Sequence, residues 1–296
     1  MHFTIVGTGA IGSLWGLKLR QAGHQVHLLT RHQEVTLERG FEKAQPVYFA
    51  ANQPDLLKDS DCIVICVKAF HVEAAIHRIL PNLHPDMPVV LMHNGMGTTD
   101  TALRLVSNNP LLFATTSHGS LMLSSTEVKH TGIGETRVGG INALGKRCGF
   151  LTDVLDHALS PCCWDEHIQQ ALWHKLAINC MINPLSAIDQ IPNGDLLLPC
   201  YQEQLLLLSK EIAQVMNTEG IATSGDDVLH KTLDVAQATA SNYSSMNRDI
   251  FHQRRSEIDF ITGYLIKRAA LHGIATPKNT ALYKAIKNLE SSYDNT

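Results

Sequence analysis

The chain has 296 residues, more than one compact core ordinarily needs, so two domains are expected, each burying its own apolar interior. A composition of 44% hydrophobic and 18% charged residues with a net charge of −4 is that of a globular protein, and it argues against a disordered chain or a polybasic binder. The sequence lacks the basic stripe of a nucleic-acid binder, the ~18-residue apolar run of a membrane span, and the basic start and cleavage site of a secretion signal. A cytoplasmic protein with neither nucleic acid nor membrane as partner is therefore expected.

In chain order, residues 3–6 read as a first strand and residues 11–22 as a helix stopping at Gly23, with Gly7-x-Gly9-x-x-Gly12 joining the two. Further strands are expected at 25–29, 62–67 and 88–92, then at 111–116 and across the glycine-punctuated stretch 127–139. Strands alternating with helical patterns imply a parallel sheet with crossover helices. From about residue 164 the pattern turns helical, at 165–182, 201–219, 225–240 and 256–271, with turn signals at Pro192-Asn193-Gly194, Glu219-Gly220 and 273–277. The fold class expected is α/β: a Rossmann-type dinucleotide-binding domain over residues 1–163, then an all-α domain over 164–296. Seven cysteines with no CxxC pair read as reduced thiols, and sixteen histidines without HExxH or similar spacing give no reason to assign a metal.

The segment Gly7-Thr8-Gly9-Ala10-Ile11-Gly12 stands where a dinucleotide fingerprint must, after the first strand and opening the first helix. Its first glycine permits the tight turn, the second a close approach of pyrophosphate, and the third tight helix–strand packing. An NAD site ordinarily carries a carboxylate at the end of the second strand, but here the chain reads Leu28-Leu29-Thr30-Arg31-His32. Arg31 suits the 2′-phosphate of NADP, so NADPH/NADP+ is the cofactor expected. Lys68 and Asn94 end two further strands at the edge where open α/β sheets bind ligands.

Lys175, Asn179 and Asn183 recur every four residues, a step that drifts by only ~40° on a helix, and so line one face among apolar neighbours. Asparagine is a poor helix former, and a solvated face would more often carry Glu, Lys and Gln. A lysine with amide neighbours suits holding a carbonyl oxygen and giving it a proton. Farther on, Ser245 could donate to a substrate carboxylate, and Glu257 could orient a lysine or a ribose.

Together these motifs resemble the 2-dehydropantoate 2-reductase (ketopantoate reductase) family. The resemblance is carried by the glycine fingerprint, Val67-Lys68-Ala69, His93-Asn94-Gly95-Met96-Gly97, the helix from Trp173 to Leu185, Pro192-Asn193-Gly194, Ser244-Ser245-Met246 and Glu257-Ile258-Asp259-Phe260-Ile261-Thr262-Gly263. It implies hydride transfer from NADPH to the C2 ketone of 2-dehydropantoate, giving (R)-pantoate, with Lys175 as proton donor and catalysis between the two domains. It also implies substrate contacts from Asn94, Lys175, Asn179, Asn183, Asn193 and Ser245, and cofactor contacts from Lys68, Asn94, Ser120 and Glu257. Ser120 and His71 depart from the small residue and the glutamine common in the family. Two alternatives stay open: another NADP-dependent 2-ketoacid reductase or β-hydroxy-acid dehydrogenase, and a non-catalytic NADPH sensor. Neither composition nor motif decides between monomer and homodimer.

Overall fold

A computed structural model describes residues 1–293. By its contacts the chain separates into two compact units, one of residues 1–93 and 98–168, the other of 94–97 and 169 onward. The first unit is built on a sheet. Its strands are β1 His2–Val6, β2 Gln25–Leu29, β3 Thr36–Phe41, β4 Val47–Ala51, β5 Cys62–Ile65, β6 Val89–Met92, β7 Leu111–Thr116, β8 Gly119–Met122, β9 Glu127–Gly132, β10 Thr136–Gly140 and β11 Cys162–Trp164. Its helices are α1 Ala10–Gln21, α2 Pro54–Lys58, α3 Val72–Ile79, α4 Thr99–Leu105 and α5 Leu151–Ala158.

The strands lie in the order β11-β10-β7-β6-β5-β1-β2-β4-β3-β9-β8. Within it the run β4-β2-β1-β5-β6-β7 is parallel throughout. Taken by chain order among those six, the sequence is 3-2-1-4-5-6, the doubly wound order in which β1 and β5 flank the point where the winding reverses. Ligands bind in such folds at the carboxyl edge beside that point, where the glycine segment after β1 stands. β1, β5 and β6 are apolar because helices cover both faces: Phe3, Ile5, Ile63, Ile65 and Leu91 are fully buried, each contributing ~1.5–3 kcal/mol. Helix α1 ends as its sequence suggests. Gly23 takes φ +86°, its N–H and that of His24 close on the carbonyls of Arg20 and Leu19, and those bonds form a Schellman motif.

β3 and β4 were not expected from the sequence. Arg39 and Gly40 interrupt the apolar pattern of β3, and Arg39 is nevertheless buried. β11 pairs with β10 and so continues the sheet past residue 163, and the division between the units falls at the start of the next helix.

The second unit consists of α6 Ile168–Asp189, α7 Pro199–Thr218, α8 Gly225–Ala238, α9 Ser245–Phe251, α10 Thr262–Leu271 and α11 Pro277–Ser291. Helix α6 runs past the expected end at 182 and carries Pro184 in its interior. A proline there forfeits one helical hydrogen bond, against which stands the burial of Leu185 and Ala187. The stretch 256–271, expected as one helix, is instead a 3-10 turn, Ile258–Phe260, followed by α10. The Glu257 carbonyl accepts from both Phe260 N–H and Ile261 N–H, at 3.0 Å each, and this tight closure breaks the helix before it starts. Helix α11 was also unexpected, since it is polar over most of its surface. Among the described residues no helix is long and apolar enough to cross a membrane, and no group of three or more His, Cys, Asp or Glu could hold a metal ion.

Candidate active site

In the first unit the glycine segment forms an anion cradle. Gly7 has φ +92°, and a Cβ there would lie 2.6 Å from Val67 Cγ1 and 2.9 Å from the Cys66 carbonyl oxygen. A Cβ on Gly12 would come within 2.0 Å of the Gly7 carbonyl oxygen, so only glycine lets α1 pack against the turn. Gly9 differs: nothing lies within 4 Å of its missing Cβ. It is the N-cap of α1, supplies no capping side chain, and the first turn holds no acidic residue. The leading N–H groups of the helix, with its positive dipole end, therefore face space that an added side chain would fill, which fits a pyrophosphate. Ser120 sits on β8 and its Oγ donates to the Ala10 carbonyl at 2.9 Å, fastening the first turn of α1.

At the end of β2, Thr30 is tied to Asn52: Thr30 N–H donates to Asn52 Oδ1 at 2.9 Å, and Asn52 Nδ2 donates to Thr30 Oγ1 at 3.2 Å. No carboxylate occupies the strand end, and Arg31 follows it exposed to solvent. Two cations missed in the sequence stand nearby in the fold. Arg78 Nη2 donates to Asn52 Oδ1 at 3.1 Å, which places a second guanidinium at that strand end. Arg39 Nε donates to Ser13 Oγ at 3.2 Å, and Ser13 Oγ donates to the Thr8 carbonyl at 3.0 Å, so a buried cation braces the glycine segment. Burial pushes the Arg39 pKa down. Neither has a local signal, because each acts through a contact distant in sequence. Lys68, half-buried, begins the 3-10 turn Ala69–His71 beyond β5.

In the second unit, α6 places Lys175, Asn179 and Asn183 on one face of a helix otherwise packed through Leu172, Trp173, Leu176, Cys180 and Met181. Lys175 is half-buried, and the loss of water lowers its pKa from 10.5 to about 8. The Glu257 carboxylate, itself buried, acts against that shift and favours the ammonium. The result is an ammonium still mostly charged at neutral pH yet far readier than an ordinary lysine to give up its proton. Asn179 is half-buried and Asn183 buried in the same helical row as Lys175.

The loop Asn94-Gly95-Met96-Gly97 belongs to this unit. Met96 N–H donates to the Phe260 carbonyl at 2.8 Å, and a Cβ on Gly95 would lie 2.6 Å from that same oxygen. Tyr264 then meets both Gly97 and the ring of Trp173. Asn94, Glu257 and Lys175 are thus on three segments packed together. Asn193 is buried, donates through Nδ2 to Thr239 Oγ1 at 2.9 Å, and leaves Oδ1 without a partner. Of the two serines at the start of α9, Ser244 is the structural N-cap: its buried Oγ accepts from Asn247 N–H at 3.0 Å and from Ser186 Oγ at 2.8 Å. Ser245 is exposed.

Residues 3–143 match the family model described as ketopantoate reductase PanE/ApbA, and residues 167–290 match that of its C-terminal domain. A 2-dehydropantoate 2-reductase of Vibrio cholerae is 46% identical over 293 residues, covering 99% of each chain. One from Escherichia coli O157:H7 is 36% identical over 298 residues, covering 99% of this chain and 97% of its own. Among solved structures, a PanE/ApbA family ketopantoate reductase from Ralstonia eutropha superposes with a TM-score of 0.87 at 28% identity, over 99% of this chain and 100% of that one.

Proposed function

The chain belongs to the ketopantoate reductase family PanE/ApbA, and from that premise we propose that it reduces the C2 ketone of 2-dehydropantoate to the alcohol of (R)-pantoate. The observation that carries the reading is the half-buried Lys175, its pKa lowered to about 8 and its charge balanced by Glu257. A reduced nicotinamide dinucleotide, when bound, supplies the hydride. The open cradle at Gly9 and the uncapped start of α1 would hold its pyrophosphate, with Gly7, Thr8, Ala10, Ile11 and Gly12 shaping the turn. Arg31, at a strand end without a carboxylate, favours NADPH over NADH through the 2′-phosphate. Lys68 and Ser120 complete that side, Ser120 by holding Ala10.

As C2 receives hydride its oxygen becomes an alkoxide. The Lys175 ammonium stabilises that growing charge and then donates the proton, and solvent restores the amine to its charged form. Asn179, Asn183, Asn94 and Asn193 orient the substrate through their amides, and Ser245 through a hydroxyl bond to the carboxylate. Glu257 is read as the partner of Lys175, which leaves contact with the cofactor as a secondary role.

The test is to supply the protein with 2-dehydropantoate and NADPH and to quantify pantoate against NADPH consumed, beside a panel of other 2-ketoacids and NADH. Equimolar pantoate, with 2-dehydropantoate the preferred ketoacid, is expected. Turnover confined to other ketoacids would move the assignment within the dehydrogenases. Tight NADPH binding without turnover of any ketoacid would leave a sensor.

A further inference from the structure

Glu257 can bias Lys175 only if its buried carboxylate stays in place, yet the turn that carries it is short and irregular. The flanking residues are gripped by α11. Ser256 N–H and Ser256 Oγ both donate to Glu290 Oε1, at 2.8 Å and 2.7 Å, and Ser256 Oγ accepts from Ile258 N–H at 3.2 Å. One carboxylate oxygen thereby fixes the residue before Glu257 and, through the serine hydroxyl, the residue after it. Lys287 Nζ bridges Glu290 Oε2 at 3.0 Å and Asp259 Oδ2 at 3.3 Å. Asp259 also accepts from Tyr283 Oη at 2.8 Å and from Arg255 Nη2 at 3.2 Å. Ser256 and Ile258 are fully buried, so the grip acts where the chain has no freedom to relax into solvent.

We propose that Glu290 is a positioning residue for the reduction: by clasping Ser256 it sets where the Glu257 carboxylate stands toward Lys175. The proposal rests on the reading of Lys175 as proton donor. It deepens that reading, because the setting of the donor then depends on a helix near the end of the chain with no direct part in the chemistry. A carboxylate held at both flanks acts on its neighbour from a fixed distance, while a loosened one turns toward water and loses most of its effect. Besides Lys175 and Glu257 themselves, ionisable groups nearby are Arg255 and Asp259 on the segment of Glu257; Tyr283, Lys287 and Glu290 from α11; and His174 next to Lys175 on α6.

The experiment titrates Lys175 directly in the full chain by NMR of lysines labelled with 13C beside Nζ, with the pH profile of kcat/KM measured in parallel. Glu290→Ala should lower the Lys175 midpoint by ~0.5–1 pH unit and move the alkaline limb by the same amount, with KM for NADPH unchanged. Glu290→Gln keeps an acceptor at Oε1 and should restore most of the native midpoint. Ser256→Ala, which removes the hydroxyl bridge but not the carboxylate, should shift the midpoint in the same direction and serves if Glu290→Ala does not fold. In a Glu257→Gln background neither change should move the midpoint further. An unmoved midpoint in folded Glu290→Ala or Ser256→Ala, or a shift that persists without Glu257, would overturn the proposal. Because the titration needs no substrate, a native chain inactive on 2-dehydropantoate would count against the functional reading alone.

Discussion

At Lys175 two influences act on one ammonium group: the loss of water lowers its pKa, the Glu257 carboxylate raises it, and burial prevails with a value of about 8. A donor must carry its proton, so kcat/KM should be level below pH 8 and fall about tenfold per unit above it. Glu257→Gln removes the opposing negative charge, and the alkaline limb should move to lower pH, read from rates between about pH 6 and 10. At the other end of the proposed cofactor, Arg31→Ala should weaken NADPH binding ~10- to 100-fold, the worth of one charge-assisted contact, and leave NADH binding nearly unchanged. Fluorescence titration with both nucleotides checks this, and equal losses for the two would remove Arg31 from phosphate recognition.

At the scale of the element, Gly9 and Gly12 separate binding from folding. Nothing lies near the missing Cβ of Gly9, and its φ of −70° suits any residue, so Gly9→Ala should keep the native melting temperature while losing nucleotide affinity. Gly12→Ala drives a Cβ to 2.0 Å from the Gly7 carbonyl and should cost stability, by ~1–3 kcal/mol, before binding is considered. Paired thermal melts and NADPH titrations of the two variants distinguish these outcomes.

What the sequence revealed follows the same division. The glycine turn and the Lys175 face were legible because each is a local repeat, fixed by residues a few positions apart. β3 was not, since its Arg39 reads as a surface charge although the fold buries it against Ser13. α11 has Pro277 at its start and buried Leu282 and Ile286 on one face, a signal obscured by polar neighbours. The clasp of Glu290 on Ser256 had no signal at all, because it joins positions brought together only by tertiary packing.

For the whole molecule, stability should depend on pH through His27 in the sheet of the first unit. Its Nε2 accepts from Gln53 N–H at 3.0 Å, so the ring is neutral, with its proton on Nδ1 toward Thr4 Oγ1. Burial first, and then the charge of Arg78, lower its pKa from 6.5 to about 4. Between those values the unfolded chain binds a proton that the folded chain refuses. The contribution, at most about 3 kcal/mol, is complete above pH 6.5 and lost as pH falls toward 4. Urea denaturation across that window should show stability rising with pH, with a shallower slope in His27→Gln. An identical slope in the variant would assign the dependence to other groups.

The nicotinamide-dependent ketone reduction requires Lys175 as its proton donor. The most direct measurement follows NADPH consumption with 2-dehydropantoate at neutral pH for the native chain and Lys175→Ala, with NADPH affinity determined for both. Rapid native turnover, a loss of ~10²–10⁴-fold in kcat for the variant, and equal NADPH affinity for the two chains are expected. Undiminished turnover in Lys175→Ala would remove Lys175 from the proton transfer.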